Sequence, residues 1–207
     1  MEIFATAMPA LAEAFALILQ PEQIGFLAIG VLLGLSAMGL SALRSQEIAG
    51  ATDQLAGEIA YSLQLAAVKN EAIEIRLYEL PGLDNFSQRR FRGYQLVTRD
   101  PSTGEVRATD RYRPFGGNLV LHPSDQISTI LQLPRQRVTN PEALGLPEGS
   151  ESYVAFRVKP DGTTSLTPDL QWSLTLIFDT VALQETVAPK NSRTILVNPV
   201  TGGVRVY

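Results

Sequence analysis

The chain has 207 residues, 17 Lys and Arg against 21 Asp and Glu, a formal net charge of −4, one histidine and no cysteine. Disulfide frameworks, thiolate metal sites and cysteine nucleophiles are excluded, and the net charge supplies no global attraction to nucleic acid. The length suits one domain of about 140 residues beside a membrane portion, since domains most often hold about 100–150 residues.

Residues 1–23 read as an atypical leader or interfacial segment. Met1–Gln20 is apolar but carries Glu2 where a secretory signal has basic residues, and Glu13 and Pro9 interrupt it. Ile24–Leu43 then holds twenty residues without a charge. At about 1.5 Å per helical residue it spans roughly 30 Å, the hydrocarbon thickness of a bilayer, which predicts a transmembrane helix over 24–45. Gly30 and Gly34 stand in a G-x-x-x-G spacing with Gly39 beyond them, so one side of that helix can meet another backbone closely. Arg44 is the one basic residue near the span, and the charge rule alone would put the head beyond it in the cytoplasm.

The soluble head occupies 46–207. Ile48, Leu55, Ile59 and Leu63, with Ala66, fall at spacings of seven, four, four and three, one stripe of an amphipathic helix over 46–68. Beyond residue 72 the period changes to two. Ile73, Ile75 and Leu77 alternate with Glu74, Arg76 and Tyr78, predicting a half-buried strand that stops at Pro81-Gly82. Tyr94–Thr98 is a second strand, and the turn Asp100–Glu105 leads into Val106–Arg111. Asn118–Leu121 and Gln126–Leu131 are shorter strand candidates, and Pro134–Gly149 reads as a long surface loop. Tyr153–Val158 and Trp172–Phe178 read as one hairpin through the Lys159–Gly162 turn; Arg193–Val197 and Val204–Tyr207 read as another. The expected fold class is α+β, a long N-terminal helix packed on an antiparallel β-sheet head.

This order resembles that of type IV pilin-like proteins. Ala49–Leu80 is similar to the helix-to-first-strand stretch of H-type minor pseudopilins. The closing segments FRVKPDGTTSL, WSLTLIF and TILVNPVTGGVRVY are similar to the pilin-like family called Verru_Chthon cassette protein D. The resemblance implies a processing site at Gly25 and Phe26, with Gly30 standing where that family has a glutamate, and it matches Gly39 to the family's mid-helix glycine. It implies a non-enzymatic structural subunit of a type IV pilus or a type II secretion-like filament, anchored in the inner membrane with its head periplasmic or extracellular. Its partners would then be other pilin-like subunits, with no cofactor and no small-molecule substrate.

No motif argues for catalysis. His122 lies in LHPSD beside Ser124 and Asp125, but a Ser-His-Asp relay needs groups aligned in space with an oxyanion hole, which close sequence neighbours do not provide. It reads as a loop residue at a strand end. Neither a dinucleotide fingerprint, a P-loop nor an EF-hand loop occurs. One local feature points elsewhere: Arg89, Arg90 and Arg92 surround Phe91 and Tyr94, a pattern suited to stacking on nucleic acid or holding an anion. A binding module that captures DNA or another anionic partner is therefore the second class of function, and a solvated strand edge guarded by arginines is the plain structural reading.

Overall fold

The computed structural model describes residues 21–82, 88–100, 102–180 and 187–207, and within the N-terminal helix it describes side chains from residue 42 onward. The expected leader at Met1–Gln20 lies outside the described residues, as do the surroundings of Gly25, Phe26, Gly30, Gly34 and Gly39. Among the described residues no helix is long and apolar enough to cross a membrane. The chain divides into two compact units, 1–45 and 46–207.

Helix α1 runs from Pro21 to Lys69. In the second unit it turns Ile48, Leu55, Ile59 and Ala66 into the core, with Leu63 half-buried against it. Ala51 and Ala56 on the same side keep the backbone close to its neighbours, and the buried hydroxyls of Thr52 and Ser62 donate back to Ile48 O and Ile59 O. The helix ends where Asn70 takes a left-handed φ of 53°, a conformation that Asn tolerates. The Glu71 amide then donates to Ala66 O at 3.2 Å, closing the Schellman motif.

Two antiparallel sheets cover the helix. The strands are β1 (Ile73–Leu80), β2 (Arg90–Arg99), β3 (Val106–Ala108), β4 (Arg113–Pro114), β5 (Leu119–Leu121), β6 (Gln136–Arg137), β7 (Ser152–Val158), β8 (Trp172–Phe178), β9 (Arg193–Val197) and β10 (Val204–Val206). The first sheet has the order β3-β2-β1-β7-β6, with β4 also on β2; the second has the order β10-β9-β8-β5. Ile73, Ile75 and Leu77 stand beside Val158, Phe156 and Val154 on one side, and beside Leu96 and Tyr94 on the other. Together with Leu121, Leu174, Leu176 and Ile195 of the second sheet they form one cluster around the helix stripe. The fold is α+β, with the long helix packed on antiparallel sheets.

Several local expectations need correction. β1 is buried on both faces, not half-buried, because loops cover the side away from the helix. Gln126–Leu131 is not a strand; it leads into a 3-10 turn at Thr129–Gln132. The reason lies in β8, whose first half extends beyond β5. There the Ser173 amide donates to Thr129 Oγ1 at 2.7 Å and the Thr175 amide to Ser128 Oγ at 3.2 Å, hydroxyls standing in for a ladder. β7 and β8 do not form a hairpin. β7 already has β1 on one edge and β6 on the other, so the turn after it folds back only to a bridge at Thr164 before the chain crosses to the second sheet.

Candidate functional site

The arginine-aromatic stretch is strand, not loop, over Arg90–Tyr94. A register shift between Tyr78 and Glu79 leaves Arg92 as an extra residue in β2, a bulge that lets Phe91 and Tyr94, three apart, both enter the core, where they are 3% and 2% exposed. Phe91 carries the Arg135 guanidinium over its ring at 5.6 Å, and Tyr94 stacks on Phe115 at 5.9 Å. Burial pushes the Tyr94 phenol well above its ordinary value. Neither ring therefore offers a face to a base.

The arginines beside them have partners in the chain. Arg92 pairs with Asp179, and Arg90 approaches the same carboxylate at 3.7 Å. Arg89 donates to the carbonyls of Glu79 and Gly149 at 3.2 and 2.5 Å and lies 3.6 Å from Glu151. A cavity of about 300 Å³ opens next to this cluster, lined by Leu80, Pro81, Arg92, Tyr112, Pro114 and Leu119 among others. Its wall is mainly apolar, so the stretch joins strand ends together and presents little free positive charge.

A second constellation, which the sequence pattern does not announce, covers the opposite side of the first sheet. Because strand side chains alternate, Glu74, Arg76 and Tyr78 all leave β1 away from the helix. The register sets Glu74 beside Arg157, Arg76 beside Gln95 and Tyr78 beside Tyr153. Arg76 Nε donates to Glu74 Oε1 at 2.6 Å and Arg157 Nε to Glu74 Oε2 at 2.8 Å, one arginine for each oxygen. The Arg76 guanidinium sits 4.3 Å over the Tyr153 ring. Burial opposes the Glu74 charge, but the hydrogen bond from Arg157 and the charge of Arg76 outweigh it, and the carboxyl titrates below its ordinary range. Burial raises the Tyr78 phenol to about 12.

Gln95 is the hub of this layer. Its oxygen accepts from Tyr78 Oη at 3.1 Å, and its amide donates to Asp110 O at 3.0 Å and Leu144 O at 2.9 Å. Gly93, one pair further along, has no side chain because Tyr112 occupies the space; an added Cβ would lie 2.3 Å from the Tyr112 hydroxyl. The sequence signal was the Glu-x-Arg-x-Tyr pattern at period two, read as a solvent face.

Beyond the core stripe, Glu58 of the helix is largely covered where it pairs with Arg113, and one side of the helix in the second unit is exposed. A Cβ at Gly50 or Gly57 would meet nothing within 4 Å, and Tyr61 and Val68 are 50% and 84% exposed. These four positions, spaced seven, four and seven apart, share one side of α1. His122 is fully buried at the end of β5, where its Nδ1 accepts from the Ser124 amide at 3.2 Å. Among the described residues no group of three or more His, Asp or Glu side chains is placed to hold a metal ion. No known protein family, curated protein or solved structure matches this chain.

Proposed function

We propose that the protein is a pilin-like structural subunit, anchored in the inner membrane by Ile24–Leu43 and carrying a periplasmic or extracellular head that joins other pilin-like subunits in a filament. The observation that carries this reading is the side of α1 left bare in the head. Gly50, Gly57, Tyr61 and Val68 are exposed on a helix whose other side is wholly committed to the core. The same side also carries exposed Gln46, Gln54 and Gln64, and its two glycines suit close approach of a second helix. The uncharged run Ile24–Leu43 carries Gly30, Gly34 and Gly39, small residues that suit close helix packing in lipid. Gly30 supplies no carboxylate, so association rests on backbone proximity.

Capture of DNA or another anionic partner through Arg89, Arg90 and Arg92 draws less support, since these groups meet acceptors within the chain and the adjoining aromatics are buried. The test is fractionation and crosslinking of the full chain in membranes. The chain should remain with the membrane until detergent is added, and Gly34→Leu or Gly57→Leu should lower the yield of crosslinked species, whereas Leu32→Ile should not. Equal yields from all three, or a chain that stays in the soluble fraction, would overturn the proposal. Intact mass of the extracted protein reads cleavage after Gly25 directly.

A further inference from the structure

We infer that residues 138–149 form a detachable strap across the outer face of the first sheet, with the Gln95 side chain as its clasp. The strap leaves β6 at one edge of the sheet and returns to enter β7. Its midpoint nevertheless reaches β2, because Leu144 O accepts from Gln95 Nε2. In the order β2-β1-β7-β6 that is three strands from its starting point, a crossing of roughly 14 Å at the usual strand spacing.

The strap has hydrogen bonds of its own. The Gly145 amide donates to Glu142 O and the Leu146 amide to Pro141 O, each at 3.0 Å, and left-handed turns at Asn140, Gly145 and Gly149 shape its path. Such a self-packed loop can lift as a unit without losing its own hydrogen bonds. Its two ends are tied by the Val138 amide to Glu151 O and by Ser150 to Pro147 O, while its middle is held, among the described residues, by the Leu144 side chain, buried to 6% exposure, and the Gln95 bond, with the Arg89 bond to Gly149 O beside Pro81 near its exit. Beneath the sheet's cover lie Glu74, Arg76, Tyr78, Gln95 and Tyr153, groups that can hydrogen-bond with water. A face covered permanently is served as well or better by apolar residues, because buried ions carry a desolvation cost that pairing barely recovers. Polar groups there lower the cost of uncovering the face, so the sheet has a covered state and a state in which lifting 138–149 frees the Gln95 amide from Leu144 O, with Asp110 O still on Gln95 and the Tyr112 ring still on Tyr78.

Single thiols in the full chain, which has no cysteine of its own, test this. Leu144→Cys places a thiol under the strap and Val154→Cys places one in the core on the helix side. In a denaturant series the thiol at 144 should react on the order of 100-fold faster than the one at 154, at a rate flat in low denaturant, as local opening requires. Adding Gln95→Leu should raise the rate at 144 by about tenfold, the worth of one hydrogen bond, and leave it flat in low denaturant. Equal rates and equal denaturant slopes at the two positions would overturn the inference. The unaltered chain provides an independent measurement: a glutamyl-specific protease should cut after Glu142 or Glu148 at a rate independent of low denaturant. Cleavage there only at the rate of global unfolding would equally overturn it.

Discussion

On the side of β1 that meets the helix, Ile73, Ile75 and Leu77 lie among aliphatic and aromatic neighbours from both sheets. On the other side of the same strand, one residue out of step, Glu74, Arg76 and Tyr78 lie among Arg157, Gln95 and Tyr153. Both sides are closed to water, yet their energetics differ in kind. The helix side gains from apolar area removed from water, a non-directional term that tolerates modest changes of shape. The outer side gains only while each donor keeps its acceptor, since removing one partner leaves the other buried and unpaired. One side therefore supplies stability, and the other makes the covering of the sheet specific and conditional.

The largest disturbance should come from charging the helix side. Leu55→Asp or Ile59→Asp buries a carboxylate without a partner at two fully buried positions, a cost of several kcal/mol against a typical total of about 5–15. Far-UV circular dichroism during thermal melting should show loss of the cooperative transition, and an unchanged melt would refute the assignment of this side as the core.

Breaking the outer side is the next largest effect. Arg76→Met leaves Glu74, 4% exposed, with Arg157 alone, and should cost about 3–5 kcal/mol in urea denaturation. The double change Glu74→Leu with Arg76→Met should recover most of that loss, because an apolar pair of similar volume escapes the desolvation penalty. Recovery would separate the two sides most clearly; a double change as damaging as the single one would show that the ion pair is needed for stability itself.

Gln95→Leu strips Leu144 O and Asp110 O of their donor and Tyr78 Oη of its acceptor, and should cost about 1–3 kcal/mol by the same denaturation measurement. A loss no greater than that of an exposed substitution would mean that the hub does not tie the layer together.

The smallest and most gradual effect should come with pH. Glu74 titrates below its ordinary value in the fold, so its contribution is complete above the unfolded carboxyl range, near about 4.3, and is lost as pH falls through the lower folded value. Stability should hold at neutral pH and decline on acidification below that range, and Glu74→Gln should remove part of the slope. At the alkaline end Tyr78, raised to about 12, contributes below its ordinary value near 10 and loses that contribution as pH rises through 12. An acid slope identical with and without Glu74 would place the proton uptake elsewhere.

The helix stripe and most strands were readable from the chain because period alone reports them. Spacings of seven, four, four and three from Ile48 to Ala66 allow only one side of a helix to be apolar, and the alternation from Ile73 to Tyr78 only a strand. The uncharged run Ile24–Leu43 is likewise a property of sequence alone. Period does not say what covers the polar side of a strand. Glu74, Arg76 and Tyr78 look like a solvent face until Leu144, about seventy residues later, is brought over β2 to bond Gln95, so their burial is a tertiary fact. The same limit separates β7 from β8: a turn sequence promises a reversal, but whether the returning strand finds a free edge depends on β1 and β6 having taken both edges of β7. It also explains the arginine stretch. Sequence shows which charges are near one another, whereas Asp179, Glu151 and the Gly149 carbonyl, which engage those arginines, come from distant segments that only the fold delivers.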